Sequence, residues 1–377
     1  MSPPSTPPTP IRIGGSKALA QFSCEKCGAK LEYAPGTTVL KCPYCNHENP
    51  IPEVRDEGGA AAEVRESDLN AALASMERGA ETMSIGQIEC GACKAIFAPA
   101  PNITATACPF CGANIVLTRH SATVIKPGAV LPFRIAREQA TEMYRGWVRS
   151  RWFAPTRLKS RALLDQSLRG IYIPAWTYDA QTVTQYTGQR GDAYYVTVGS
   201  GNNRRTERRI RWSSAGGVVS NAFDDVLVLA SHSLPKDKAD KLEPWDLAAL
   251  TPYDDSFLAG FTAESYTVSI AEGFEEAKAI MADVIRGTVR RDIGGDEQRI
   301  SSMQTQYSGL TYKHLLLPVW LSAYRFGDKL YQFLINARTG EVQGQRPYSW
   351  IKIALAVLAG LIVIAVIVIA QSYFKSR

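Results

Sequence analysis

The chain is poor in the groups on which most enzymes depend. Of 377 residues only four are histidine (His47, His120, His232 and His314), and they share no motif. Neither a Gly-x-Ser-x-Gly elbow nor a His-Glu-x-x-His pair occurs, which removes two common hydrolase signatures. The phosphate-cradling Gly-x-x-x-x-Gly-Lys-Ser/Thr loop is missing as well. Gly14-Gly15-Ser16-Lys17 has neither its spacing nor its following hydroxyl, so nothing supports an ATP-driven motor. Asp224-Asp225 and Asp254-Asp255 are adjacent pairs whose side chains diverge on a strand, which suits loops and caps better than acid and base work. The opening Met-Ser-Pro-Pro-Ser-Thr-Pro-Pro-Thr-Pro has no apolar run of the kind an export signal needs. Eight cysteines are too dilute for a disulfide-stapled secreted scaffold, so a reduced, cytosolic setting is expected for the body.

The cysteines that are present follow a strict pattern. They form four Cys-x-x-Cys pairs: Cys24/Cys27 with Cys42/Cys45, and Cys90/Cys93 with Cys108/Cys111. Each member of the second set lies 66 residues after its counterpart, and 14 residues separate the inner cysteines of each set. Each set reads as a four-cysteine zinc ribbon, in which two knuckles across a short hairpin close a tetrahedron of thiolates. Four thiolates leave no open coordination position, so both zinc ions would be structural. A thioredoxin-like dithiol is the competing reading, but that chemistry uses one pair at a strand-to-helix junction. His47, two residues after Cys45, could replace a ligand and is read as a loop residue. Gly28 and Gly112 each follow a pair directly and suit a tight turn.

Apolar residues concentrate at the far end, which the mean hydropathy of −0.12 conceals. Ile353 to Ala370 is an 18-residue run without a charge or hydroxyl. At roughly 1.5 Å per residue it is about 27 Å long, close to a bilayer core. Tyr348, Trp350, Tyr373 and Phe374 flank it, with Lys352 and Lys375 placed to snorkel, so a single transmembrane helix is expected over 351–371. Arg338, Arg346 and Lys352 on the body side against Lys375 and Arg377 in the tail favour a cytoplasmic body on the inner membrane.

Composition divides the rest into a Pro-rich arm (1–19), ribbon 1 (20–50), a linker (51–86), ribbon 2 (87–120), a body (121–270 and 271–347) and a short tail (372–377). In the linker, Val64, Leu69, Leu73 and Met76 predict a helix over 63–78 that ends at Gly79. The body reads as α+β and as built twice. A helix over 136–153, with Ala140, Met143, Tyr144, Trp147, Val148 and Trp152 on one face, precedes Ile171-Tyr172-Ile173-Pro174-Ala175-Trp176. A second over 274–289, with Phe274, Ala277, Ile280, Met281, Val284, Ile285 and Val289 on one face, precedes Leu315-Leu316-Leu317-Pro318-Val319-Trp320. Strands follow each Pro-x-Trp, with turns at Gly327-Asp328 and Arg338-Thr339-Gly340-Glu341 in the second half. Trp176 and Trp320 are expected to anchor the core.

The double ribbon, the Ile-Pro-Ala-Trp strand, Leu242-Glu243-Pro244-Trp245-Asp246, Leu258-Ala259-Gly260-Phe261-Thr262-Ala263-Glu264, Leu317-Pro318-Val319-Trp320 and Asn336-Ala337-Arg338-Thr339-Gly340-Glu341 before a membrane helix have a consistent order. In that order the chain resembles the bacterial membrane-anchored zinc-ribbon proteins, often labelled TFIIB-type zinc-ribbon or primosomal-helicase-like. The resemblance implies a membrane partner of PspA- and flotillin-like envelope-stress systems and not an enzyme. Two ribbons and a long Arg-rich hairpin set this chain apart from many of them.

The net charge of +6 is the sum of unlike parts. Nine basic residues (Arg134, Arg137, Arg145, Arg149, Arg151, Arg157, Lys159, Arg161, Arg169) face three acidic ones over 134–169, and Arg204, Arg205, Arg208, Arg209 and Arg211 face only Glu207. Gly199-Ser200-Gly201-Asn202-Asn203 makes the second cluster a hairpin tip and descending strand. A solvated face, an anionic inner leaflet and nucleic acid each fit such clusters. The expectation is a non-enzymatic, membrane-anchored zinc-ribbon adaptor with a cytosolic protein-binding surface. The alternative is a membrane-tethered nucleic-acid-binding protein.

Overall fold

The fold was described from a computed structural model, which covers residues 22–51, 63–75, 82–98, 105–116, 120–153, 168–201, 204–326, 329–345 and 348–375. The Pro-rich arm, Met76, Gly79, Arg157, Lys159, Arg161, Asn202, Asn203, the Gly327-Asp328 turn, Arg346 and Arg377 lie outside them. Ribbon 1 supplies β1 (Glu32–Tyr33), β2 (Val39–Lys41) and β3 (Glu48–Pro50). After it come β4 (Ser67–Asp68), α1 (Leu69–Ser75), β5 (Thr82–Glu89), β6 (Ile96–Ala98), β7 (Ala105–Ala107), β8 (Asn114–Val116), β9 (His120–Ile125) and β10 (Ala129–Val130). The first half of the body continues with α2 (Arg137–Arg149), β11 (Arg169–Val198), β12 (Arg205–Leu229), α3 (Lys236–Ala239), β13 (Thr251–Pro252) and β14 (Thr262–Glu264). The second half has α4 (Ile270–Ile293), β15 (Glu297–Phe326), β16 (Lys329–Asn336) and β17 (Val342–Gly344), and α5 (Trp350–Lys375) ends the chain.

Two 30-residue strands, β11 and β15, form the spine. They pair antiparallel from Arg169 opposite Leu321 to Gly191 opposite Glu297. Near the ribbons both faces of the sheet are covered, so Ile171, Ile173 and Ala175 face Leu315, Leu317 and Val319 in near-continuous apolar runs. Farther along the alternation expected of a half-covered strand takes over. Thr182, Thr184 and Tyr186 are buried on the α4 side, while Gln181, Val183, Gln185 and Thr187 face outward. β12 extends this blade on one side of β11, and β10, β16 and β4 pair with β15 on the other.

The two halves reciprocate. Trp176 Nε1 donates to the Val268 carbonyl at 3.0 Å, just before α4, and Trp320 Nε1 donates to the Ile135 carbonyl at 2.8 Å, just before α2. Each tryptophan thus ties its own half to the entry of the other half's helix. The prolines behave alike: the Pro174 carbonyl accepts from the Ala230 amide at 2.9 Å, and that of Pro318 from the Ala337 amide at 3.0 Å.

The local expectations shift in three places. The linker helix starts later, at Leu69, because Ser67 and Asp68 pair with β15 and the Asp68 carboxylate caps α1 by accepting from the Ala71 amide at 2.7 Å. Trp152 falls beyond the end of α2 and is 75% exposed, so the buried stripe there is Ala140, Tyr144 and Val148. On α4 the stripe narrows to Ala277, Met281, Ile285 and Val289, and Ile280 and Val284 stand half exposed. Among the described residues, one helix, over Trp350–Gln371, is long and apolar enough to cross a membrane, and none of that span is buried against the protein.

α4 approaches the sheet most closely at Gly273. A methyl group there would lie 2.5 Å from the Tyr178 hydroxyl and 2.9 Å from Trp176 Cδ1. That hydroxyl already donates to the Ile270 carbonyl at 2.7 Å. At an open helical position Gly→Ala gains up to about 1 kcal/mol. Here Gly273→Ala is expected to destabilise by about 1 to 2 kcal/mol, measured as a lower urea midpoint with unchanged slope.

Candidate metal centres

All four knuckles have the same backbone. The first cysteine's carbonyl accepts from the amide four residues on: Cys24 from Gly28, Cys42 from Asn46, Cys90 from Lys94 and Cys108 from Gly112, at 2.8 to 3.0 Å. The amide of each first cysteine returns a bond to the next carbonyl, at 2.8 to 2.9 Å. The turn requires a left-handed residue at the fourth step, and Gly28, Asn46, Lys94 and Gly112 occupy it with φ of 72°, 55°, 63° and 71°. Glycine marks two of these positions in the sequence. Asn46 tolerates the conformation by its side-chain chemistry, and Lys94 at the fourth carries no sequence signal of it.

These turns bring each predicted set of cysteines together. Sγ to Sγ distances are 3.6 Å for Cys24–Cys45, 3.5 Å for Cys27–Cys42, 3.7 Å for Cys90–Cys111 and 3.6 Å for Cys93–Cys108. A disulfide would need about 2.05 Å. A tetrahedron with about 2.3 Å zinc–sulfur bonds has edges of about 3.8 Å, so the spacing fits two zinc ions. The thiols also need a cation. Burial opposes ionisation of Cys24, but backbone amides of residues 27 and 26 outweigh it and bring that thiol to about 6. The Ala29 amide favours a Cys27 thiolate, yet its neighbours Cys45 and Cys42 push it up to about 12. In the second set burial and the charge of Cys111 raise Cys108 to about 12, and burial and Cys108 push Cys93 higher still. Four thiolates held this close repel one another, and a divalent cation is what removes the repulsion. Asn49, buried beside the first set, accepts from the Glu25 amide at 3.1 Å and braces the two knuckles. His47 is half-buried in its loop.

Both sets are built into the body. Tyr33 of ribbon 1 packs edge-on against Phe257, its ring 5.4 Å away, and donates its hydroxyl to the Thr37 carbonyl at 2.9 Å. β6 of ribbon 2 pairs with β14 of the large sheet. The matching knuckles differ in one respect: Phe110 is fully buried against Phe97, with Gln332 Nε2 donating to its carbonyl at 2.6 Å, whereas Tyr44 is 80% exposed.

Two further polar clusters could not be found by spacing. Glu66, Asp179 and Asp224 place carboxylate oxygens within 4.8 Å of one another. Lys313 pairs with one of them, Nζ 3.1 Å from Glu66, and with the neighbouring Asp225 at 2.7 Å. Thr311 donates to Asp179 at 2.6 Å. The other cluster is buried. Glu264 and His314 line a partly open pocket of about 60 Å3 with Tyr266 and Ser265. Glu264 accepts from the Ser231 hydroxyl at 2.6 Å, and His314 Nδ1 lies 3.1 Å from the Ile125 carbonyl. Burial raises the Glu264 carboxyl to about 7 and lowers the His314 imidazolium to about 4.

Among curated proteins, the chain is similar to YdjG of Bacillus subtilis (strain 168), described as uncharacterized: 26% identical over 244 residues, 64% of this chain and 70% of that one. No protein-family model and no solved structure matches the chain.

Purified protein is expected to carry two zinc ions by elemental analysis, with Cys42→Ser leaving one. Since zinc-binding energy, on the order of 10 kcal/mol, is folding energy in such units, chelation should abolish the near-ultraviolet dichroism. Unchelated protein that reacts freely with a thiol reagent would instead mark the dithiol reading.

The buried carboxyl sets a pH dependence. Protonated in the fold up to about 7, against an ordinary 4.5, Glu264 contributes stability that is complete in acid and lost as pH rises through 7. His314, neutral down to about 4 against 6.5, acts oppositely, with a contribution complete above 6.5 and lost towards 4. The melting temperature of Glu264→Gln relative to the wild type should therefore climb as pH goes from 4.5 to 7, read by differential scanning calorimetry.

Proposed function

We propose that the protein is a non-enzymatic adaptor, anchored in the inner membrane by α5 as its one spanning helix. Its two zinc ribbons and two related α+β halves form a cytoplasmic body that offers a protein-binding surface. The carrying observation is the contrast between the knuckles. Ribbon 2 buries Phe110 in the sheet core, whereas ribbon 1 holds Tyr44 out on a hydrogen-bonded knuckle turn. An exposed aromatic on a preorganised loop is the usual anchor of a binding surface, since little side-chain entropy is lost on docking. The similarity to bacterial membrane-anchored zinc-ribbon proteins supports the same reading and points towards an envelope-stress or membrane-maintenance complex.

The bilayer contact has its own support. The Ser349 amide donates to the Phe153 carbonyl at 2.8 Å and Lys352 Nζ to that of Trp152 at 3.3 Å, so the end of α2 sits beside the start of α5. Trp152, Trp350 and Tyr348 are exposed there, next to Arg149, a combination suited to the headgroup region of an anionic leaflet. Nucleic acid is less well served. Alternation along β12 puts Arg208 on one face and Arg205, Arg209 and Arg211 on the other, and Arg208 pairs with Glu297 at 2.8 Å.

Pull-down from detergent-solubilised membranes tests the adaptor reading. Tyr44→Ala should keep both zinc ions and lose partners that the wild type retains. An identical partner list for wild type, Tyr44→Ala and Cys42→Ser/Cys108→Ser would sink it.

A further inference from the structure

β12 is 25 residues long and, among the described residues, pairs with β11 alone, so its other edge is open. Long open edges recruit other strands, and proteins normally block them with lysines, prolines or short length. This one is unblocked in its middle. Trp212 to Phe223 (Trp-Ser-Ser-Ala-Gly-Gly-Val-Val-Ser-Asn-Ala-Phe) contains no charge and no proline. Charge lies only at its ends and its balance is opposite in sign: Arg204, Arg205, Arg208, Arg209 and Arg211 against Glu207 at the start, Asp224 and Asp225 at the finish.

That arrangement complements itself. Laid antiparallel against a second copy, the arginine end of each β12 meets the aspartate end of the other. Opposed residues in a sheet share a face, so a two-fold axis must fall on a residue. With the axis at Gly216, Arg208, which also pairs with Glu297 of its own chain, is opposed to Asp224; Asp225 sits in a bulge with φ of 52° and is held by Lys313. A parallel or shifted alignment would oppose like charges, which are destabilising across strands.

The flanks of the edge carry apolar surface to match. Val218 on the outer face is 61% exposed, and on the other face the half-exposed Ile280 of α4 lines an open groove with Val226 and Leu227. The outer face itself (Gln181, Val183, Gln185 and Thr187 on β11, Ser214 and Ser220 on β12) is uncharged, so a second sheet would meet no repulsion in continuing it.

We infer that the protein self-associates through β12, two copies joining their blades into one continuous sheet by antiparallel pairing of residues near 213–222. The joined stretch is about 34 Å long at 3.4 Å per residue. The inference does not rest on the adaptor reading.

Full-length protein in detergent, followed by light scattering and by hydrogen exchange, tests it. Two chains per micelle are expected, with amides of residues 213–222 protected in the dimer and losing protection on dilution. Arg208→Glu/Arg209→Glu/Arg211→Glu should weaken the dimer at least about tenfold while keeping two zinc ions, and adding Asp224→Arg should recover at least part of that loss. One chain per micelle at all concentrations would overturn the inference. So would a dimer indifferent to these charges, or one whose protection falls on residues 297–310 of β15.

Discussion

The ladder between β11 and β15 is the constraint on which the remaining structure depends. Its two strands lie more than a hundred residues apart in the chain, yet they stay paired over about twenty residues of each. Everything else attaches to this ladder: β12 and β14 to β11, and β4, β10 and β16 to β15. α4 lies across one face with Met281 and Ile285 fully buried. Loop closure on this scale is entropically costly, and the apolar cores on both faces of its first half offset that cost by removing large aliphatic surfaces from water.

The ribbons extend the same core. Ribbon 1 contributes Leu31, Tyr33 and Leu40 to a cluster around Phe133 and Trp320, and ribbon 2 contributes Ile88, Phe97 and Phe110 to one around Ile171 and Leu317. A metal held in either ribbon is therefore coupled to sheet packing. Tying the four cysteines of a set fixes two knuckles, and through Tyr33 or β6 it fixes how the body's edge is covered. A metal bound there would make its binding and the folding of the body parts of one equilibrium.

The polar groups inside this core follow a consistent rule. Lys313 is buried but flanked by Glu66 and Asp225, so its charge is matched. Glu264 and His314 have no such ion partners among the described residues, and their pKa values move to the side on which both are neutral. Each belongs to a strand, β14 or β15, and its environment is assembled from distant elements: Ser231 for Glu264, Ile125 for His314.

What the sequence determined by itself was what depends on near neighbours. Cys-x-x-Cys spacing sets four turns whose hydrogen bonds close within five residues, and an uninterrupted apolar run sets one long helix. The periodicity of α2 and α4 and the strands around Pro174 and Pro318 were legible for the same reason. Only the tertiary structure decided which equivalent residues would differ. Tyr44 and Phe110 occupy the same knuckle position, and one is exposed while the other is sealed beneath Gln332. Trp176 and Trp320 occupy the same strand position, and each bonds the carbonyl that leads into the other half's helix. Ile280 and Val284 keep the helical period of their neighbours yet remain half exposed, because β12 ends the sheet before covering them. Burial and partnership are properties of surfaces brought together across the chain, and local pattern carries no record of where the sheet stops.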